Sequence, residues 1–131
     1  MVSVRRRVLI VDDVRDAADS LSMLVNLFGH EACVAYDGDS ALKAATEFDP
    51  DTALIDIALP RMDGYRLAAH LLEKASASLL LVAITGYGRE EDKRRSKEAG
   101  FRYHLVKPID CEELRHLLAN DSPGSSERLP R

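Results

Sequence analysis

Cysteine is scarce in this chain of 131 residues: there are two, Cys33 and Cys111, far apart and in no Cys-x-x-Cys pair. That excludes a disulfide framework and a zinc site, either of which needs more ligands at closer spacing. Both read as free thiols of a reducing compartment. Long apolar runs are missing too: none approaches the ~18 residues of a membrane span. The run Val8-Leu9-Ile10-Val11 stops at two acids, so the N-terminus does not read as a secretory signal. Nor is there a surplus of basic charge. The 18 Lys and Arg against 22 Asp and Glu leave a net charge of −4, which argues against a general nucleic-acid binder, since such a protein needs a basic face to displace counterions. No internal repeat or low-complexity segment is present, and no linker precedes residue 119.

What is there is globular composition, 46% apolar and 31% charged, on a length that supports one core and hardly two. The expectation is one soluble cytoplasmic domain, residues 1–119. Residues 120–131, with Pro123, Gly124, Ser125 and Ser126, read as a flexible C-terminal tail or linker stub.

Short apolar runs alternate with helical patterns along the whole domain. Val8–Val11 is a continuous aliphatic run, as in a strand buried on both faces. Val14, Ala17, Ala18, Leu21, Val25 and Phe28 then repeat at helical spacing, and Gly29 supplies a stop. Further strands are expected near Ala32–Tyr36, Ala53–Ile57, Leu79–Ile84 and Tyr103–Val106. Helices are expected at Ser40–Phe48, Tyr65–Leu72, Arg89–Ala99 and Asp110–Leu118, the last capped by Asp110. Strands alternating with helices imply parallel βαβ units with right-handed crossovers, hence an open sheet with helices on both faces. In such sheets ligands sit beyond the carboxyl ends of the strands.

Those ends carry the chemistry. The first predicted strand stops at Asp12-Asp13, the third brings Asp56, the fourth Thr85-Gly86 and the fifth Lys107-Pro108. Any one of these could be an ordinary cap or turn residue; Asp13, for instance, could cap the first helix. Their convergence at one edge argues otherwise. Gathered carboxylates repel and resist ionisation unless a cation neutralises them. Lys107, a bound metal, or both would serve, and an all-oxygen, partly hydrated site favours magnesium.

On these residues the chain resembles the receiver domain of bacterial two-component response regulators, over roughly residues 6–119. The motifs are Val8-Leu9-Ile10-Val11-Asp12-Asp13, the loop Asp56-Ile57-Ala58-Leu59-Pro60-Arg61-Met62-Asp63-Gly64, Thr85-Gly86 and Lys107-Pro108. Each is short; in this order, each at the end of its strand, they are specific. The resemblance implies a flavodoxin-like, doubly wound (βα)5 fold with a five-stranded parallel sheet in the order 2-1-3-4-5. It implies that Asp56 accepts a phosphoryl group from a phosphohistidine on a histidine kinase or histidine phosphotransfer domain. Asp12, Asp13, Asp56 and the backbone carbonyl of Ala58 would hold magnesium, Thr85 and Lys107 would meet phosphoryl oxygens, and the Lys107–Pro108 bond would be cis. The output would be a protein partner, with no direct nucleic-acid or membrane contact and no enzymatic activity beyond the domain's own phosphorylation and dephosphorylation. Asp63 reads as the cap of the third helix and Gly64 as a residue that eases the turn.

Two features depart from the family pattern. Where the family usually has Tyr or Phe, a switch residue whose ring swings inward when the acceptor aspartate is phosphorylated, this chain has His104. The preferred reading is a smaller ring in the same packing role; the sharper one is a switch coupled to pH. The fourth helix, from Arg89, has almost no apolar face before Ala99. Pairs such as Glu90 with Arg94 and Glu91 with Arg95 would support it, and scant burial would leave it weakly anchored. The segment Arg5-Arg6-Arg7 is too short for a nucleic-acid patch and reads as a solvent-edge cap of the first strand. His30, His70 and His116 show no ligand spacing and read as ordinary surface or packing residues. Two rival readings differ in kind: a receiver-like interaction module that works without phosphorylation, and a haloacid-dehalogenase-like phosphatase. The latter would place its acids as Asp-x-Asp and carry a cap insertion; here the acids are adjacent and no segment is long enough. A stand-alone domain and the receiver of a hybrid kinase both fit the sequence.

Overall fold

A computed structural model of the chain describes residues 5–59, 62–74, 79–86 and 90–120, with only the backbone at residues 90–93 and 120. Elements alternate without exception: β1 (Arg7–Val11), α1 (Arg15–Leu27), β2 (Glu31–Ala35), α2 (Gly38–Phe48), β3 (Thr52–Asp56), α3 (Gly64–Lys74), β4 (Leu80–Thr85), α4 (Glu90–Glu98), β5 (Tyr103–Val106) and α5 (Cys111–Asn120). All strand pairings are parallel, in the order β2-β1-β3-β4-β5. The expected fold class is the one found.

The continuous apolar runs lie where both faces are covered. β1, β3 and β4 form the middle of the sheet, and Val8–Val11, Ala53–Ile55 and Leu81–Ala83 are fully shielded from solvent. Alternate side chains feed two cores. Val8, Ile10, Leu54, Val82 and Ile84 pack with Ala18, Leu21 and Val25 of α1 and Leu114, Leu117 and Leu118 of α5. Leu9, Val11, Ile55, Leu81 and Ala83 pack with Ala41 of α2 and Leu67, Ala68 and Leu71 of α3. The outer strand β2 is only partly buried along most of its length, consistent with a sheet edge.

Element ends follow local chemistry. Asp37 caps α2 by accepting from the Ser40 amide at 2.8 Å, so that helix begins two residues before the predicted Ser40. Asp63 caps α3 through the Arg66 amide at 2.9 Å, and Asp110 caps α5 through the amides of Glu112 and Glu113. Asp13 does not cap α1: the N-cap is Val14, with no side-chain capping bond. Gly64 does more than ease a turn. It opens α3 against the preceding strand's exit, where a Cβ would lie 2.5 Å from Ile57 Cα. The predicted pairs of Glu90 and Glu91, Pro60 and Arg61 of the loop, and the tail beyond residue 120 lie outside the described residues.

The arginines at the start of β1 correct the solvent-edge reading. Arg6 is fully buried. Its Nε donates to the Leu118 carbonyl in the last turn of α5 at 2.6 Å, and Nη1 lies 3.4 Å from Thr52 Oγ1 and 4.0 Å from Asp51 Oδ1. Arg7 reaches the other way, donating to the Phe48 carbonyl at the end of α2 and to Glu31, with its guanidinium 4.1 Å over the Phe48 ring. A cation at a helix C-terminus is favoured by the exposed carbonyls and the helix dipole. Strand-edge arginines thus lock one helix from each layer.

Beside them, buried His30 accepts from the Arg6 amide through Nδ1 at 3.0 Å. Burial, then the charges of Arg6 and Arg5, pull its pKa below the ordinary 6.5, against the opposing effect of Asp51. The unfolded chain therefore binds a proton more readily than the fold does. His30 contributes stability that is complete above the unfolded pKa and lost as pH falls toward the depressed folded value. Urea melts of wild type and His30→Gln at about pH 7.5 and about pH 5.5 should show a steeper acid loss in wild type; equal losses would contradict this role.

Candidate functional site

Asp12, Asp56, Thr85 and Lys107 are held at the strand ends by sheet hydrogen bonds. The Asp12 amide donates to the Ala35 carbonyl at 3.2 Å, the Ile57 amide beside Asp56 to Ile84 at 3.1 Å, and the Lys107 amide to Thr85 at 2.8 Å. The strands' ladders therefore set the spacing of the site.

The three acids come together. One carboxylate oxygen from each of Asp12, Asp13 and Asp56 lies within 4.8 Å of the others. Asp12 and Asp56 are buried and Asp13 is exposed, so the cluster opens to solvent on the Asp13 side. Lys107 Nζ donates to Asp56 Oδ2 at 3.0 Å and stands 3.8 Å from Asp12 Oδ2. The remaining oxygens are also engaged: Asp56 Oδ1 accepts from the Ala58 amide at 2.9 Å, and Asp12 Oδ1 from the Val14 amide at 3.0 Å. Charge-assisted bonds of this kind hold the carboxylates in fixed orientations.

The electrostatics are those of a site with cationic charge in short supply. Burial raises the Asp12 pKa above the ordinary 3.8, and the charges of Asp56 and Asp13 add to this, while the Val14 amide and Lys107 oppose it. For Lys107, burial would lower the pKa, but the hydrogen bond and charge of Asp56, with Asp12 and Asp13, more than compensate and raise it. One ammonium faces three carboxylates, a donor set of oxygens only. Those residues fit a hard divalent cation such as magnesium, which accepts carboxylates and keeps its own waters.

Thr85 ends β4, buried, one residue beyond the position that pairs with Asp56, and pairs in turn with Val106. His104 pairs with Ala83. With two residues per repeat along a strand, His104 shares a sheet face with Thr85, and both of its ring nitrogens are buried. The Lys107–Pro108 peptide bond is cis.

Outside this edge, Cys33 is half-buried and Cys111 exposed, both free. His70 and His116 are exposed, but His30 is part of the buried Arg6 cluster. Sequence reasoning missed two contacts. Tyr65, just after the acceptor loop, carries the Arg95 guanidinium 4.3 Å over its ring. At the mouth of α1, Tyr36 donates to Asp19 at 2.7 Å while Arg15 lies 4.2 Å over its ring. Neither cluster has a local spacing signature, since each joins residues well separated along the chain.

Comparison with known proteins agrees with the geometry. A family profile described as response regulator receiver domain matches residues 8–119. A 14.6 kDa uncharacterized protein from the sodA1 3' region of Leptolyngbya boryana is 34% identical over 112 residues, covering 85% of this chain and 86% of that protein. PilH of Pseudomonas aeruginosa is 32% identical over 109 residues, covering 82% and 90%. Among solved structures, the chemotaxis protein CheY4 of Vibrio cholerae superposes with a TM-score of 0.81 at 27% identity, over 88% of this chain and 97% of that one.

Proposed function

The chain belongs to the response regulator receiver family of two-component signalling, and from that premise we propose that Asp56 is its phosphoacceptor. The observation that carries this is the meeting of Asp56 with Asp12, Asp13 and Lys107 at one sheet edge. In the proposed reaction a carboxylate oxygen of Asp56 attacks phosphorus. An O–P bond forms as the P–N bond to the donor imidazole breaks, its electron pair remaining on nitrogen.

Such a transfer needs positioning and charge stabilisation more than covalent assistance. The backbone amide of Ala58 and the ammonium of Lys107 hold Asp56 in place. Asp12, Asp13 and Asp56, with the carbonyl of Ala58, are the proposed magnesium ligands; bound there, the ion would offset the charge of the incoming phosphoryl group. Lys107 and the Thr85 hydroxyl are the proposed partners of the transferred group's oxygens, with His104 the packing residue that follows Thr85. The donor is a histidine kinase or phosphotransfer domain and the reader a downstream protein. The domain boundary proposed is residue 119. No helix of the described residues is long and apolar enough to cross a membrane, in keeping with the proposed cytoplasmic site of action.

The test is intact mass after incubation with acetyl phosphate, with and without magnesium. A magnesium-dependent gain of one phosphoryl group is expected; no gain in either condition favours the phosphorylation-independent module. Replacing Lys107 separates chemistry from response. Lys107→Ala should still gain the group, about tenfold more slowly because one charge-assisted contact is gone, yet lose the spectral or exchange change that follows in wild type. A full wild-type change in that variant would remove Lys107 from the switch.

A further inference from the structure

α4 presents a packing problem. Its nine residues, Glu-Glu-Asp-Lys-Arg-Arg-Ser-Lys-Glu, include no apolar side chain, so it cannot seat itself by a hydrophobic stripe as the other helices do. The apolar surface is supplied from α3. The ring of Tyr65 lies beneath the Arg95 guanidinium at 4.3 Å, meets Ser96 Oγ with its hydroxyl at 3.5 Å, and stands edge-on to Phe101, just past α4, at 6.2 Å between centroids. Ser96 and Phe101 are both buried. A cation on an aromatic face and an edge-to-face ring pair are attractive and geometrically specific.

Tyr65 is also joined to the acceptor aspartate by a short, stiff route. Ile57 follows Asp56 directly. The Gly64 amide donates to the Ile57 carbonyl at 3.1 Å, and the two backbones are so close that no Cβ fits between them. Tyr65 is the next residue. Displacement at Asp56–Ile57 therefore moves the first turn of α3, and with it the ring on which α4 rests.

We propose that Tyr65 is a positioning residue that ties the acceptor loop to α4, so that the seating of α4 follows the state of Asp56. This rests on the phosphoacceptor reading above and adds a connection separate from Thr85 and His104. Arg95 serves the tie with its planar face, which binds the ring while the charge stays at the surface.

Hydrogen exchange across α4 tests the tie in two arms. In the unmodified protein, Tyr65→Leu and, independently, Arg95→Ala should each speed α4 exchange about tenfold, because local opening follows the loss of anchoring contacts. Tyr65→Phe, which keeps the ring, should restore near-wild-type rates. Wild-type rates in both Tyr65→Leu and Arg95→Ala would overturn the proposal. In the second arm, magnesium and beryllium fluoride are added as a phosphoryl mimic. Exchange in α4 should change in wild type and Tyr65→Phe but not in Tyr65→Leu, with acetyl phosphate uptake within about twofold in all three. An unchanged α4 in a wild type that does take up phosphoryl groups, or a wild-type response in Tyr65→Leu, refutes the tie. If no protein takes up a phosphoryl group, the phosphoacceptor reading fails, and the first arm still decides whether Tyr65 holds α4.

Discussion

An Asp56→Asn protein will fold and gain no phosphoryl mass from acetyl phosphate, a loss of at least about a thousandfold in rate, because an amide is a poor nucleophile. The change is nearly isosteric, and Asn can still accept from the Ala58 amide at Oδ1, so loss of uptake would not be loss of fold. The comparison variant is Asp12→Asn. Burial already disfavours the Asp12 carboxylate, and neighbouring Asp56 and Asp13 add to the penalty. Neutralising it should raise the stability of the metal-free protein by about 1 kcal/mol while weakening magnesium binding and uptake, as expected where a site is kept at a cost to the fold. Circular-dichroism melts and magnesium titration on the same samples check both. If Asp56→Asn gains the same mass as wild type, the acceptor is elsewhere.

The largest stability loss is expected at the opposite end of the sheet. Arg6→Ala removes a fully buried side chain whose Nε bonds the Leu118 carbonyl at 2.6 Å. It leaves that carbonyl and the Thr52–Asp51 pair without their cation and opens a cavity where the aliphatic stem lay. An orphaned buried acceptor and a large-to-small change together cost about 3 kcal/mol or more, a large share of the ~5–15 kcal/mol that holds a typical domain together. Arg6→Met refills the volume without the charge and should recover part of the loss, since a buried charge carries its own desolvation penalty. Urea midpoints of the two variants separate packing from hydrogen bonding; an Arg6→Ala midpoint equal to wild type would refute the clamp.

The contrast between these two ends shows what the sequence makes legible. Strands β1, β3 and β4 lie within one residue of their predicted bounds because unbroken runs such as Val8–Val11 have few other uses. The acids and Lys107 are visible because each follows such a run directly. Strand order comes only from resemblance: periodicity says which face of an element is buried, not which element lies beside it. Arg6 defeats sequence reading for a related reason, since a charged residue at a strand's start is usually solvated and its burial is set by α5, more than a hundred positions away in the chain. α2 and α3 start earlier than their patterns suggest because Gly38 and Gly64 look like turn residues, whereas both are helical. What Gly64 answers to is the backbone of Ile57.

Because the acids, Thr85 and Lys107 are carried by strand ends, their spacing depends on residues facing inward, and the outward faces of the helices take no part in it. The molecule is thus divided into two compartments of mutational tolerance. An interior substitution risks the register and so the proposed chemistry; one on an outward helix face redraws the surface and leaves the spacing of the site intact. That division would let the surface vary while the proposed phosphoryl transfer is kept, in line with a backbone that superposes closely on that of a protein only 27% identical. For an engineer, the outer faces of α1 and α5 are the places to write a new address. The tie from Tyr65 to Arg95 marks the exception, a spot on the outside of the fold where rewriting would also be heard within.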